Sequence, residues 1–218
     1  MGEREVLSGQ QSHWEQAFTS NHEMFGELPS EAAIRAAEIF KVQGQKQILE
    51  LGAGQGRDTL FFAKNGIHVH VLDYTKEGTE RIRQKAMEQG LSNRITVIEH
   101  DVRQPFPLPS GFFDACYSHM LYCMALTTQE LVTLNEHVRQ VLHSGGYNLY
   151  TVRHKGDAHY GQGIHRGEDL YEVGGFIVHF FDRAKVESLT DGYQLIDIHE
   201  FEEGGLPRKL YQVALKKN

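Results

Sequence analysis

Residues 48–63 constrain the fold more than any other stretch: Ile48-Leu49-Glu50-Leu51-Gly52-Ala53-Gly54-Gln55-Gly56-Arg57-Asp58-Thr59-Leu60-Phe61-Phe62-Ala63. A short apolar run, three glycines at alternate positions and an apolar-periodic continuation read as a buried strand, a tight turn and the opening of a helix. Glycine lets the backbone enter conformations closed to side chains and leaves room for a ligand. In an open α/β sheet such a turn sits at the carboxyl end of its strand, where the first helix amides face a crevice.

The ligand of that crevice is narrowed by what the turn lacks. A dinucleotide fingerprint, G-x-G-x-x-G, would place its third glycine at position 57, which is Arg57 here. Asp73 ends the next strand (67–72), at the distance expected of an acid that accepts from ribose hydroxyls. Asp101 follows the third strand (95–99), where with Val102 it would meet an adenine. Glu50 precedes the first glycine and would repel a pyrophosphate but attract an ammonium. Ribose, adenine and an amino acid without phosphate describe S-adenosylmethionine. The run from Glu50 to Gly56, with Asp73 and Asp101, resembles the first three motifs of class I methyltransferases, from about residue 46 onward. The resemblance implies cofactor contacts at Glu50, Gly52, Ala53, Gly54, Gly56, Asp73, Tyr74, Asp101, Val102 and Ser118. The turn 54–58 is also similar to that of the tellurite-resistance type, which implies a small inorganic or thiol-like acceptor.

At 218 residues one elaborated domain is expected. A net charge of −7 without a basic block argues against a nucleic-acid partner. No apolar run reaches spanning length and no leader pattern opens the chain, so a cytoplasmic protein away from membranes is expected. Cys116 and Cys123 make no disulfide framework. They suggest a soft-element acceptor, or, for Cys116, a small core residue.

Residues 1–45 read as helices that form a lid. Ser12 to Glu15 has the form of a capping box, residues 24–30 form a break, and Ser30 caps the next helix. Trp14 and Phe25 are candidates to cover the cofactor, or simply to pack on the sheet. Residues 46–218 alternate strand and helix. Helices run to Asn65-Gly66 and from about 75 to 89, and Thr127 with Glu130 opens one ending at Gly145-Gly146. Strands cover 113–119 and 147–152. The closing pair, 194–201 and 209–215, is joined across 203–207 too briefly to be anything but antiparallel. The expected architecture is α/β: a Rossmann-like, mostly parallel sheet of seven strands with helices on both faces, the last strand antiparallel and a helical lid at the N-terminus.

Methyl transfer needs alignment more than a fixed triad. His119 follows strand four and is a candidate general base by its ordinary pKa, with cofactor contact as the other reading. Tyr122 could position an acceptor or pack. Residues 153–176 form an inserted acceptor-side loop, glycine-rich and therefore expected to be mobile. His154, Asp157, His159 and His165 fall within it. Their spacing follows no zinc pattern, so no metal is assigned; they define a polar acceptor pocket, with His154 nearest His119. The expected activity is methylation of a small molecule. A macromolecular target and a non-catalytic cofactor-binding protein are the alternatives.

Overall fold

The computed structural model describes residues 6–7, 9–204 and 208–218. Two helices, α1 (Gln10–Ser20) and α2 (Glu31–Gln43), precede β1 (Gln47–Leu51). Then follow α3 (Arg57–Lys64), β2 (His68–Asp73), α4 (Lys76–Glu88), β3 (Ile95–Glu99), β4 (Phe113–Ser118), α5 (Thr128–Val141) and β5 (Leu142–Arg153). An insert carries β6 (Ile164–His165), β7 (Leu170–Val173) and β8 (Phe176–His179), and α6 (Arg183–Ser188), β9 (Tyr193–Glu203) and β10 (Arg208–Lys217) complete the chain.

The main sheet has seven strands in the order β3-β2-β1-β4-β5-β10-β9. Strands β1 to β5 pair in parallel, and β10 runs antiparallel to both neighbours. Parallel strands are buried on both faces, which is why β1 reads as a continuous apolar run. Ile48, Ala115, Tyr117 and Leu149 pack beneath α2, α3 and α4. Leu49, Leu51, Cys116, Tyr150 and Val152 pack beneath α5 and α6. Reversal of strand order on either side of β1 and β4 opens the crevice that holds the site.

Local signals place several boundaries. Ser30 accepts the Ala33 amide, Thr127 and Glu130 form the capping box of α5, and Asp182 caps α6. Three expectations are corrected. Ser12 does not cap α1, which begins at Gln10, because Gln10 bonds the Gly175 carbonyl and the Ile177 amide and tertiary contact extends the helix. Helix α5 ends at Val141, and β5 begins at Leu142 and bulges before Tyr147, so Gly145-Gly146 lies within a strand. The insert is a small antiparallel sheet, not an open loop. Its glycines make tight turns and close approaches: a Cβ on Gly163 would stand 2.0 Å from the Glu172 carbonyl oxygen. The expected hairpin connection lies partly in residues 205–207, outside the described residues; the strands on either side are antiparallel.

Candidate active site

The glycine turn is left-handed at Gly52, Gly54 and Gly56 (φ 66°, 55° and 82°). A side chain at Gly56 would stand 2.6 Å from Ile82 of α4, so the turn and the helix bundle are mutually fixed. The Gly54 amide donates to Asp73 Oδ2 at 2.8 Å, and Thr75 donates to Oδ1 through both its amide and its hydroxyl. Asp73 is buried, and burial pushes its carboxyl up from the ordinary value while these bonds resist the shift. Oδ2 accepts one of these bonds and keeps capacity for another, as a ribose hydroxyl would require. Glu50 is 2% exposed and accepts from Thr59 Oγ1 at 2.6 Å. Burial first, and the neighbouring Asp58 second, push its pKa up to about 8. A buried carboxylate with this little compensation is matched to a cationic ligand group.

These groups open into a cavity of about 530 Å³. Glu50, Gly52, Ala53, Gly54, Asp73 and Tyr74 line one end, and His119, Met120, Leu121, Met124, Glu203 and Arg208 line the region beyond. Trp14, Phe18 and Phe25 from the N-terminal segment and Phe176 from the insert also line it. Trp14 lies 4.5 Å from Phe176 and 5.5 Å from Phe18, ring to ring. Two side chains of the turn secure this aromatic cover. Gln55 accepts from the Met24 amide and donates to the Asn21 carbonyl, while Arg57 donates to the Phe25 carbonyl and to Glu203. From the cover, Glu15 accepts the Glu77 amide in the first turn of α4.

Some expected site residues fall elsewhere. Gly56 heads α3 away from the cavity lining. Asp101 does not line the cavity; Arg103 holds it at 2.6 Å and outweighs burial to keep its carboxyl below the ordinary value. Val102 packs into the core, and Ser118 is fully buried with Oγ unpartnered among the described residues. Tyr122 is a core residue, stacked on Tyr150 at 4.3 Å and bonded by Asn148 and Asn135, so it cannot touch an acceptor. His154 stacks on Tyr211 at 4.4 Å with Glu200 3.3 Å away, and it does not line the cavity. The strand's alternation explains this, because the preceding Arg153 is the residue that lines the cavity. Cys116 and Cys123 are core residues outside the lining. The His-rich set disperses: Arg153 engages Asp157, His159 lines the cavity and His165 bonds the Glu168 carbonyl.

His119 does reach the cavity, but both ring nitrogens are engaged. Nδ1 is 3.0 Å from Thr151 Oγ1 and Nε2 is 3.0 Å from Glu203 Oε2. Glu203, Thr151, Thr59 and Arg153 were not expected from the sequence. Glu203 meets Arg57 across 146 positions, and no local pattern announces such a pair.

Residues 48–146 match the model of a methyltransferase-domain family. No curated protein matches the chain. The 1,6-didemethyltoxoflavin N1-methyltransferase of Burkholderia thailandensis, solved with 1,6-didemethyltoxoflavin and S-adenosylhomocysteine, is similar with a TM-score of 0.76 at 15% identity, over 100% of this chain and 91% of that one. A Methanosarcina mazei S-adenosylmethionine-dependent methyltransferase gives 0.70 at 16% identity, over 79% and 92%. TehB of Haemophilus influenzae gives 0.69 at 15% identity, over 94% and 67%. At such identities the likeness concerns the fold, and it extends across the cover and insert that the family model leaves out. The stretch from β1 into β5 is a methyltransferase domain, and the whole chain has the fold of S-adenosylmethionine-dependent methyltransferases.

Proposed function

We propose that the enzyme methylates a small molecule held between the glycine turn and the aromatic cover. The observation that carries this is one cavity, continuous from Glu50 and Asp73 to His119 and Glu203 and lined by Trp14, Phe18, Phe25 and Phe176. Its volume lies in the range of small-ligand sites, roughly 300–1,000 Å³. When bound, S-adenosylmethionine supplies an electrophilic methyl group on a sulfonium. Glu50 would face the methionine ammonium and Asp73 the ribose. Tyr74, which lines the cavity, takes the adenine side in place of Asp101. The aromatic cover excludes water, and the walls align the acceptor, an effect that can be worth about 7–11 kcal/mol.

Transfer of labelled methyl into a complete cell extract, but not into the same extract after desalting, is the expected result. Label on macromolecules would overturn the small-acceptor reading. The ribose assignment has its own test. Asp73→Ala should weaken S-adenosylhomocysteine binding about a hundredfold, since charge-assisted bonds contribute roughly 1.5–3 kcal/mol each. Unchanged affinity by calorimetry would place the ribose elsewhere.

A further inference from the structure

We propose that Glu203, oriented by His119 and Arg57, receives the N–H of the acceptor, so that the attacking atom is a nitrogen bearing hydrogen. This rests on the small-molecule reading above and names the acceptor's chemistry. Of the four carboxylates lining the cavity among the described residues, Glu50, Asp58 and Asp73 belong to the glycine turn and its flanking elements. Glu203 alone stands on the far side, at the end of β9.

The hydrogen bonds around His119 fix which group can act. Thr151 is fully buried, and its Oγ1 already accepts the Met120 amide at 2.8 Å. The hydroxyl proton must itself be donated, and the acceptor within reach is His119 Nδ1. Nε2 therefore carries the ring proton and donates it to Glu203. Neither nitrogen is left to remove a proton from substrate, so His119 is a positioning residue. Met120, the next residue, is held at φ 65°, a left-handed conformation that a side chain adopts at a cost of order 1–3 kcal/mol. That strain, held by the Met120–Thr151 bond, shapes this corner of the cavity wall.

The arrangement discriminates among nucleophiles. Burial opposes ionisation of Glu203, but the bond from His119 and the charges of Arg57 and Arg208 outweigh it and hold the carboxyl below its ordinary value. So weak a base cannot ionise a hydroxyl. A thiolate or metalloid oxyanion would bring a second negative charge to the carboxylate, a repulsion of about 4 kcal/mol at 4 Å near a protein surface. Of the arginines lining the cavity among the described residues, Arg57 is engaged by Glu203 and Arg153 by Asp157, which leaves Arg208 to offset that repulsion in part. A neutral nitrogen is different, because it becomes cationic as it is alkylated and a fixed carboxylate stabilises that charge. The nitrogen lone pair forms the new N–CH3 bond, and the sulfur keeps the electron pair of the bond that breaks. The product nitrogen keeps its N–H hydrogen bond to Glu203 while it is cationic and gives up the proton to bulk water on release.

The test supplies S-adenosylmethionine carrying a 13C methyl group, with the low-molecular-weight fraction of cells grown on 15N. A one-bond 13C–15N splitting in the product is expected. A methyl on oxygen, sulfur or a metalloid would overturn the inference and leave the small-molecule function standing. No small-molecule product, with S-adenosylhomocysteine binding intact by calorimetry, would overturn both. Glu203→Gln should lower kcat about a hundredfold with little change in KM or in S-adenosylhomocysteine affinity, a loss on the scale of removing one charge-stabilising group. Full activity in that variant would remove Glu203 from the mechanism. If it misfolds by circular dichroism, the 13C–15N splitting in the wild-type product decides the inference alone.

Discussion

Glu50→Gln is expected to stabilise the ligand-free protein at pH 8 while weakening its binding of S-adenosylhomocysteine about a hundredfold, the scale of losing a charge-assisted contact. The first effect follows from linkage. Burial and the charge of Asp58 push Glu50 up to about 8 in the fold, against the pull of Thr59 and Arg57, from an ordinary value of 4.5. Between those two pH values the native state binds one proton more than the unfolded chain, so stability falls as pH rises through the window. At about 1.4 kcal/mol per pH unit, the loss by pH 8 is on the order of a few kcal/mol. Glutamine keeps the shape, can still accept from Thr59, and does not titrate. Melting temperatures from pH 5 to 9 should therefore converge at the acid end and diverge in favour of the variant at the alkaline end. The second effect follows from the same proton. Near pH 7 Glu50 must ionise opposite the ligand's ammonium, so calorimetry in two buffers of different ionisation enthalpy should detect about one proton released. The variant should release none. If Glu50→Gln binds S-adenosylhomocysteine as tightly as the wild type, the ammonium lies elsewhere.

Much of this site was legible in the sequence because its information is local. Glycines at 52, 54 and 56 satisfy positive φ angles, Ser30 and Thr127 cap the helices that follow them, and Asp73 terminates its strand. Each is a statement about a few consecutive residues. The acceptor side was not legible, because its groups meet only through the sheet. Arg57 and Glu203 come together when β9 is placed at the sheet edge, and Thr151 reaches His119 from the neighbouring strand. Parity misled at strand ends: Arg153 lines the cavity and His154 does not. Composition misled in the insert, where glycine serves both mobile loops and close-packed turns. What separates the two is the 2.0 Å gap at Gly163, a tertiary fact. Tyr122 and Cys116 were ambiguous because a parallel sheet buries both faces, so an apolar segment carries no label for the side that meets a ligand.

The largest loss of stability is expected from Asp157→Ala, in the wall behind the acceptor. Asp157 accepts both arms of Arg153 and the amides of His159 and Lys209, so it joins the end of β5, the start of the insert and β10. Burial works against its ionisation, but the Arg153 bonds and the two amides overcome this and hold the carboxyl below its ordinary value. Removing it strands the guanidinium of Arg153, 6% exposed and 5.3 Å from the Phe180 ring, without a counterion. Breaking one side of a buried pair costs roughly 3–5 kcal/mol, a large share of the 5–15 kcal/mol typical of a folded domain. At about 2–4 °C per kcal/mol for a chain of this size, the melting temperature should fall by roughly 6–20 °C at pH 7. Replacing both partners, Arg153→Met with Asp157→Ala, should recover much of that loss, because no unpaired charge remains. The acid limb gives the sign independently. A carboxyl held low in the fold contributes its full stability above the unfolded pKa, near 3.9, and loses it as pH falls through the folded value. The gap between wild type and Asp157→Ala should therefore narrow below about pH 4. A double variant no more stable than the single one would mean that Asp157 acts through the His159 and Lys209 amides and not as the counterion of Arg153, and a gap that stays constant into acid would mean that its ionised carboxyl is not the source of the loss.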